Sequence, residues 1–444
     1  MEQSKPAALV IGGGIAGIQA ALDIADAGYP VHLVEQEPSV GGRMSQLDKT
    51  FPTLDCSSCI LTPKMVDVGN HPNIDLMTYS EVETVEGEVG DFRVRVRKKP
   101  RYVDIDVCTG CGSCAEACRM KGRVTSGFDE GIAKRSAIYV PFPQAVPLKY
   151  TIDPTACLFL TRGKCGKTFL CKDACPAEAI DFEQEEEFLD LEVGAIIVAT
   201  GFDLMDPTLK PEFGYGVYPE VMTGIEFERL SSASGPTMGK ISINDKEPKD
   251  VVFIKCVGSR DPHTGVPYCS RVCCMYTAKH AHLVRDKLPE ANITVFYMDV
   301  RAFGKGYEEF YDRVKHEQVV YRRGEPAEIY RRGERLVVLA EDTLLGKPIE
   351  VEADLVVLAT AVVPRTDAED VAELVGLECS PDGFFQEEHV KFHPTETDAA
   401  GIYLAGCCQG PKDIPDVVAQ AKAAAASALV ALRQQEVQKE AVPA

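Results

Sequence analysis

Eight cysteines crowd into residues 108–175 at spacings that suit iron–sulfur ligation. The first four read Cys108-Thr109-Gly110-Cys111-Gly112-Ser113-Cys114-Ala115-Glu116-Ala117-Cys118. This C-x2-C-x2-C-x3-C spacing lets three thiolates curl round one [4Fe–4S] cube while the fourth swings to another. The second four are Cys157, Cys165, Cys171 and Cys175, with Pro176 following. On this pattern Cys108, Cys111 and Cys114 hold one cube with Cys175 as remote fourth ligand. Cys157, Cys165 and Cys171 hold the other, with Cys118 crossing over. Two features depart from the pattern: Arg119 follows Cys118 where proline is usual, and the second set is stretched to C-x7-C-x5-C. Zinc is the alternative occupant of four-cysteine sets.

Further cysteines extend the chemistry. Cys256, Cys269, Cys273 and Cys274 form a C-x12-C-x3-C-C pattern at a strand end and helix start. Four thiolates converging there suit a third [4Fe–4S] cube; a redox-active thiol pair and buried structural cysteine are the alternatives. Adjacent Cys273 and Cys274 cannot share a face of a regular helix, so irregular backbone is expected around them. Cys56-Ser57-Ser58-Cys59 reads as a dithiol, as ligands of a cluster, as a partner contact or as inert buried cysteine. Lys279, five residues past Cys274, is either a surface lysine or a cation that approaches a flavin and stabilises negative charge on it.

These cysteines interrupt elements that bind a dinucleotide. Ala7–Ile11 reads as a buried parallel strand. Gly12-Gly13-Gly14-Ile15-Ala16-Gly17 follows, then a helical pattern to Gly28, a strand at Val31–Val34, and Glu35. This is a β-α-β dinucleotide fingerprint in its proper context. Gly12 permits the tight turn, Gly14 lets backbone approach pyrophosphate, Gly17 lets helix and strand pack, and Glu35 holds ribose hydroxyls. Gly41-Gly42-Arg43 resembles the second glycine motif of flavoproteins with two dinucleotide-binding domains. So do Ala199-Thr200-Gly201 and the segment ending at Gly406. FAD is therefore favoured over NAD, in one domain split by insertions. An alanine-rich helix follows Pro415 and runs to about Gln434; the resemblance to these flavoproteins implies that its N-terminus points at the flavin, where its dipole would stabilise a reduced, anionic flavin, and plain domain closure is the other role it can fill.

The expected organisation is an FAD-binding domain at 1–100, 188–249 and 361–444, an insert at 101–187 and a second α/β domain at 250–360. The second domain starts at Asp250–Lys255, has a helix near Val272–Lys287 and a strand at Ile293–Met298, and leaves through Val356–Thr360. Its first strand runs into Ile254-Lys255-Cys256-Val257-Gly258-Ser259-Arg260, with no G-x-G-x-x-G turn to cradle a nicotinamide dinucleotide. The 444 residues carry a net charge of -21, which argues against nucleic acid as a partner and against an anionic membrane surface. No apolar run reaches the roughly 18–20 residues of a membrane span. The start, Met1-Glu2-Gln3-Ser4-Lys5, lacks signal-peptide character, so a cytoplasmic protein is expected.

Several segments resemble HdrA, a family of heterodisulfide reductase subunits. They are Gly41–Met44, Leu47–Pro52, Asp55–Leu61, Tyr139–Pro147, Cys269–Lys279 and Gly406–Asp413. The resemblance covers nearly the whole chain. It implies an α/β fold: a thioredoxin-reductase-like flavoprotein with two dinucleotide-binding domains and an inserted ferredoxin-like domain. It implies FAD, [4Fe–4S] clusters and work in a complex with HdrB-like and HdrC-like subunits that reduce a disulfide such as that of coenzymes M and B. It also implies electron input from a hydrogenase, a formate dehydrogenase or another module, a homodimer within the larger complex and, in some members, electron bifurcation. Set beside the long methanogen type, the sequence is expected to be without that type's extra N-terminal domain and C-terminal ferredoxin module, and in this it is similar to QmoA of a quinone-interacting oxidoreductase. A stand-alone NAD(P)H-dependent disulfide reductase and a scaffold with purely structural clusters are the competing readings.

Overall fold

The chain reverses at Gly12, where φ is +108° and a Cβ would lie 2.4 Å from the Ala199 carbonyl oxygen. Only glycine fits so tight a positive-φ turn. The computed structural model describes residues 5–244 and 246–441; the residues before Lys5, on which the leader expectation partly rests, lie outside that range. In chain order the principal strands are β1 (Ala8–Ile11), β2 (Val31–Glu35), β3 (Ile74–Thr78), β4 (Ala195–Val198), β5 (Val221–Thr223), β6 (Asp250–Val257), β7 (Asn292–Tyr297), β8 (Val319–Arg323), β9 (Leu355–Thr360) and β10 (Ile402–Leu404). The first sheet has the order β10-β4-β1-β2-β3 and the second β5-β9-β6-β7-β8, and every pairing is parallel. Parallel sheets bury both faces, which is why the central strands β1, β4 and β9 read as apolar runs without alternation.

Five helices matter for the site: α1 (Ile15–Asp26), α2 (Ser57–Asn70), α3 (Gly224–Ser231), α4 (Cys273–Lys287) and α5 (Ile414–Ala441). Helix α1 lies close to the first sheet because Gly17 has no side chain; a Cβ there would sit 1.8 Å from the Gly12 carbonyl oxygen. Helix α5 is longer than expected. It is also the one described helix that is apolar and long enough to cross a membrane by length and composition. In this fold Ala421, Ala424, Ala425, Ala428 and Leu432 are at most 1% exposed and pack into the core that α1 and the first sheet share.

The second domain begins earlier than position 250. Strand β5 and α3 belong to it, since β5 pairs with β9. Strand β5 is three residues long. It gains its place only from a partner far along the chain, so no local pattern marks it. Residues 99–186 leave the first domain between the strand Asp91–Lys98 and the strand Glu187–Val193, which pair with each other. They carry their own core of Val103, Ile138, Ile152 and Ile180 with Cys108, Cys114 and Cys157.

Gly17→Ala should lower stability by about 1–3 kcal/mol through overpacking. Urea denaturation should show the drop in midpoint with an unchanged slope.

Candidate functional site

A cavity of about 1310 Å³ opens at the C-terminal ends of the first-sheet strands. Ligands of open parallel sheets bind at this edge. Gly12, Gly14, Glu35, Gly42, Arg43, Thr200 and Gly201 all line it. The two remaining glycines do not. Gly17 packs beneath the turn, and a Cβ on Gly406 would meet Ala16 Cβ at 2.8 Å, so Gly406 seats its own turn against α1. A Cβ on Gly14 would meet nothing within 4 Å, so backbone there is open to a ligand. Glu35 ends β2 with its carboxylate accepting from the Gly13 and Glu37 amides at 2.6 and 2.8 Å; burial pushes its pKa up. Arg43 turns its guanidinium toward Glu130 of the insert, 2.7 Å away. The start of α5 also reaches the wall, with Lys412, Asp413, Ile414 and Pro415. This open-backed turn, the terminal acid and the aimed helix suit FAD, and the volume exceeds the roughly 300–1,000 Å³ of ordinary small-ligand pockets.

The opposite wall comes from the second domain. Helix α4 carries Tyr276, Lys279 and His280 onto the cavity, and α3 carries Glu228. Lys279 is 1% exposed, which excludes the surface-lysine alternative. Its ammonium donates to Glu228 Oε1 and, at 2.9 Å, to the Lys49 carbonyl. His280 Nε2 lies 2.6 Å from the same carboxylate oxygen, and the Asp48 amide donates to the other at 3.0 Å. Burial alone would raise the Glu228 pKa, but Lys279 and then His280 pull it down to about 2. Burial lowers His280, against the pull of Glu228. Both folded values lie below the ordinary ones, so the unfolded chain binds more protons. Their stabilisation is therefore present above the ordinary values and lost as pH falls, through the region below 6.5 for His280 and between 4.5 and about 2 for Glu228. Sequence spacing does not reveal Glu228 or His280. The adjacency of His280 to Lys279 is the only local signal, because Glu228 is 51 residues from Lys279.

The cysteines gather in sets. The charges that bear on the Cys114 thiol are those of Cys108, Cys175 and Cys111, and burial pushes it up to about 12. Those that bear on Cys171 are Cys118, Cys157 and Cys165, with burial pushing it up to about 11. Cys118, Cys157, Cys165 and Cys171 also line one small cavity. Cys114 thus groups with Cys108, Cys111 and Cys175, and Cys171 with Cys118, Cys157 and Cys165.

In the second domain, Cys256, Cys273 and Cys274 are each at most 4% exposed and share one cluster with Ala359. Cys273 hydrogen-bonds to both others, and these contacts and burial push its pKa well up. That contact lowers Cys256, and it lowers Cys274 to about 5 with help from Lys255 Nζ, 3.3 Å from its sulfur. Helix α4 begins at Cys273, so Cys269 lies in the preceding loop and the two do not share a helix face. The irregular backbone lies upstream, at Cys256 and Arg271, each with φ of +60°. Among the described residues, no three His, Cys, Asp or Glu side chains are set to hold a single metal ion. A four-iron cube takes one thiolate per iron and asks for a wider set. Cys56 and Cys59 form a disulfide.

Residues 8–117 match the FAD-dependent oxidoreductase family model. The chain is 58% identical, over 98% of its length, to an HdrA protein of Methanopyrus kandleri, an iron-sulfur subunit of CoB–CoM heterodisulfide reductase. It is 53% identical, again over 98%, to the HdrA component of the H(2):CoB-CoM heterodisulfide,ferredoxin reductase of Methanothermobacter marburgensis. The chain belongs to the HdrA family of heterodisulfide reductase. It spans 66% and 65% of the lengths of these two relatives. Among solved structures, thioredoxin reductases of T. acidophilum and Lactococcus lactis align over 97% and 98% of this chain, each with a TM-score of 0.52, at 13% and 15% identity. At that identity the likeness establishes the fold, a thioredoxin-reductase-like α/β arrangement of two dinucleotide-binding-type domains.

Lys279→Met should lower stability at pH 7 by about 3–5 kcal/mol, because it strands a buried carboxylate. Adding Glu228→Gln should restore most of that loss, read by urea denaturation of both variants.

Proposed function

We propose that this HdrA-family chain is an oxidoreductase subunit that passes electrons between FAD and [4Fe–4S] clusters within a heterodisulfide reductase-type complex. The observation that carries the proposal is the course of α4. Its first two residues, Cys273 and Cys274, belong to the buried cysteine set, and Tyr276, Lys279 and His280 line the flavin-sized cavity. From Cys274 to Lys279 the helix rises roughly 7.5 Å at about 1.5 Å per residue. A flavin takes two electrons and releases them singly, and each cube passes one at a time.

On this reading Gly12, Gly14, Gly42, Thr200 and Gly201 hold FAD, with Glu35 at the ribose. Cys108, Cys111, Cys114 and Cys175 hold one cube, Cys118, Cys157, Cys165 and Cys171 a second, and Cys256, Cys269, Cys273 and Cys274 a third. Lys279 keeps positive charge at the cavity wall, where added negative charge needs an answer, and the N-terminal end of α5 adds its dipole. Lys255 answers the thiolate charge at Cys274. Arg271, between Cys269 and Cys273, bonds the Pro411 carbonyl at 3.3 Å and Asp416 at 2.8 Å, and so ties the cysteine loop to α5. HdrB-like and HdrC-like partners would bind and reduce the disulfide elsewhere, and an input module such as a hydrogenase or formate dehydrogenase would supply electrons. Bifurcation is the fullest form of this reading and belongs to the whole complex.

The stand-alone NAD(P)H reductase is disfavoured by the end of β6. There a nicotinamide dinucleotide would need an open glycine turn. Instead Cys256 occupies the bend, and a Cβ on Gly258 would lie 2.0 Å from the Met205 sulfur, so the side chain of Met205 covers the turn.

Anaerobically purified protein should contain about twelve irons per FAD, four for each cube. Cys273→Ser should lose about four of them and keep the rest. Little iron together with rapid FAD reduction by NADPH would sink the proposal.

A further inference from the structure

Of the chain's cysteines, fifteen stand outside any disulfide, and the remaining pair, Cys56 and Cys59, is bonded. The pair lies outside the cavity and outside all three cysteine sets. It opens α2: Cys56 is the cap residue, and the Cys59 amide donates to its sulfur at 3.2 Å. Cys59 is exposed and Cys56 partly so. The Ser58 hydroxyl lies 3.4 Å from the Cys56 sulfur.

The segment leading into the pair is bound tightly to itself and to the buried charges. Thr50 and Asp55 join at 2.9 Å, the Leu54 amide donates to Thr50 at 2.8 Å, and the Ser57 amide donates to Asp48 at 3.0 Å. Lys49 and Cys56 form a β-bridge. At its other end this loop supplies the Asp48 amide to Glu228 and the Lys49 carbonyl to Lys279. A change at the sulfurs therefore meets the buried carboxylate through that bridge and these backbone hydrogen bonds.

We propose that Cys56–Cys59 is a thiol–disulfide exchange site, opened by an external dithiol, whose redox state sets the order of residues 47–56 and through them the contacts of Lys279 and Glu228. The incoming thiolate attacks the exposed Cys59 sulfur, the Cys56–Cys59 bond breaks, and Cys56 leaves as a thiolate. The Cys59 amide and the first turn of α2 are placed to receive that charge. The second thiol of the reductant then attacks the mixed disulfide and releases Cys59. The reductant departs as a disulfide, and Cys56 and Cys59 end as two thiols after taking up two protons and two electrons. The exchange does not require the flavin reading to hold.

The test uses the whole protein with its cofactors, prepared anaerobically and equilibrated in mixtures of reduced and oxidised dithiothreitol. Thiols are alkylated and located by peptide mass spectrometry, and amide hydrogen exchange is followed in parallel. Cys56 and Cys59 should become labelled together in one two-electron step, and residues 47–56 should lose amide protection in the same step. The Cys56→Ser/Cys59→Ser variant should show the same protection in every mixture. A pair that stays bonded under excess reductant overturns the proposal, as does iron bound to these two sulfurs. Opening without any change in the protection of residues 47–56 overturns the coupling.

Discussion

A carboxylate with 3% side-chain exposure cannot stand alone, and Glu228 is the constraint round which the domain junction is built. Its charge is met by an ammonium and an imidazole from α4 and by an amide from the first domain. Helices α3 and α4 and the backbone at Asp48 and Lys49 must therefore arrive together. Burial makes each partner expensive to lose, so this polar cluster ties the second domain to the first, beside the contacts of Phe51 and Leu54 with the second domain's core. The same cluster presents Lys279 and His280 to the cavity.

The insert is fastened by the same logic. Arg229, next to Glu228 and 1% exposed, reaches Asp129 of the insert at 3.1 Å and the Gln46 carbonyl of the first domain at 3.1 Å. Its guanidinium also sits 4.6 Å from the centre of the Phe128 ring, which stacks on Phe142. Arg101 at the insert's entry bonds Thr151, Thr78 and the Pro38 carbonyl, and burial lowers its pKa to about 10. Phe128, Glu130 and Phe142 consequently become part of the cavity wall. The insert is a wall of the site as well as a carrier of cysteines.

What is legible in the sequence is what is local. The turn at Gly12 to Gly17 and the acid at Glu35 sit within one β-α-β unit, so spacing alone locates them. The spacing also expects Cys118 and Cys175 to cross between the two cysteine sets, and they lie near Cys171 and Cys114 respectively. The start of the second domain is not legible, since β5 is defined by pairing with β9 and not by its own residues. Gly406 is assigned to the cofactor by motif but seats its turn against Ala16, a constraint from a segment that no spacing rule connects. Arg43 lines the cavity and also pairs with Glu130 of the insert, a partner that its motif does not reveal.

Three of the contacts that link the two domains lie close to the cavity. Arg271 holds Asp416, Tyr307 donates to Asp413 at 2.7 Å, and Lys279 holds the Lys49 carbonyl. Two of them end on the opening of α5 and the third on the loop that carries Asp48, so all three cross the seam between the domains close to the cavity. A rotation of the second domain on the first would break them together and expose the buried charge of Glu228. A nicotinamide enzyme needs its second domain to admit and release a diffusing dinucleotide. On the proposed reading fixed cysteines take the place of that dinucleotide, and no such movement is needed. The charged seam is therefore consistent with electron passage at a set distance, with Cys273, Cys274 and Lys279 kept on one rigid helix.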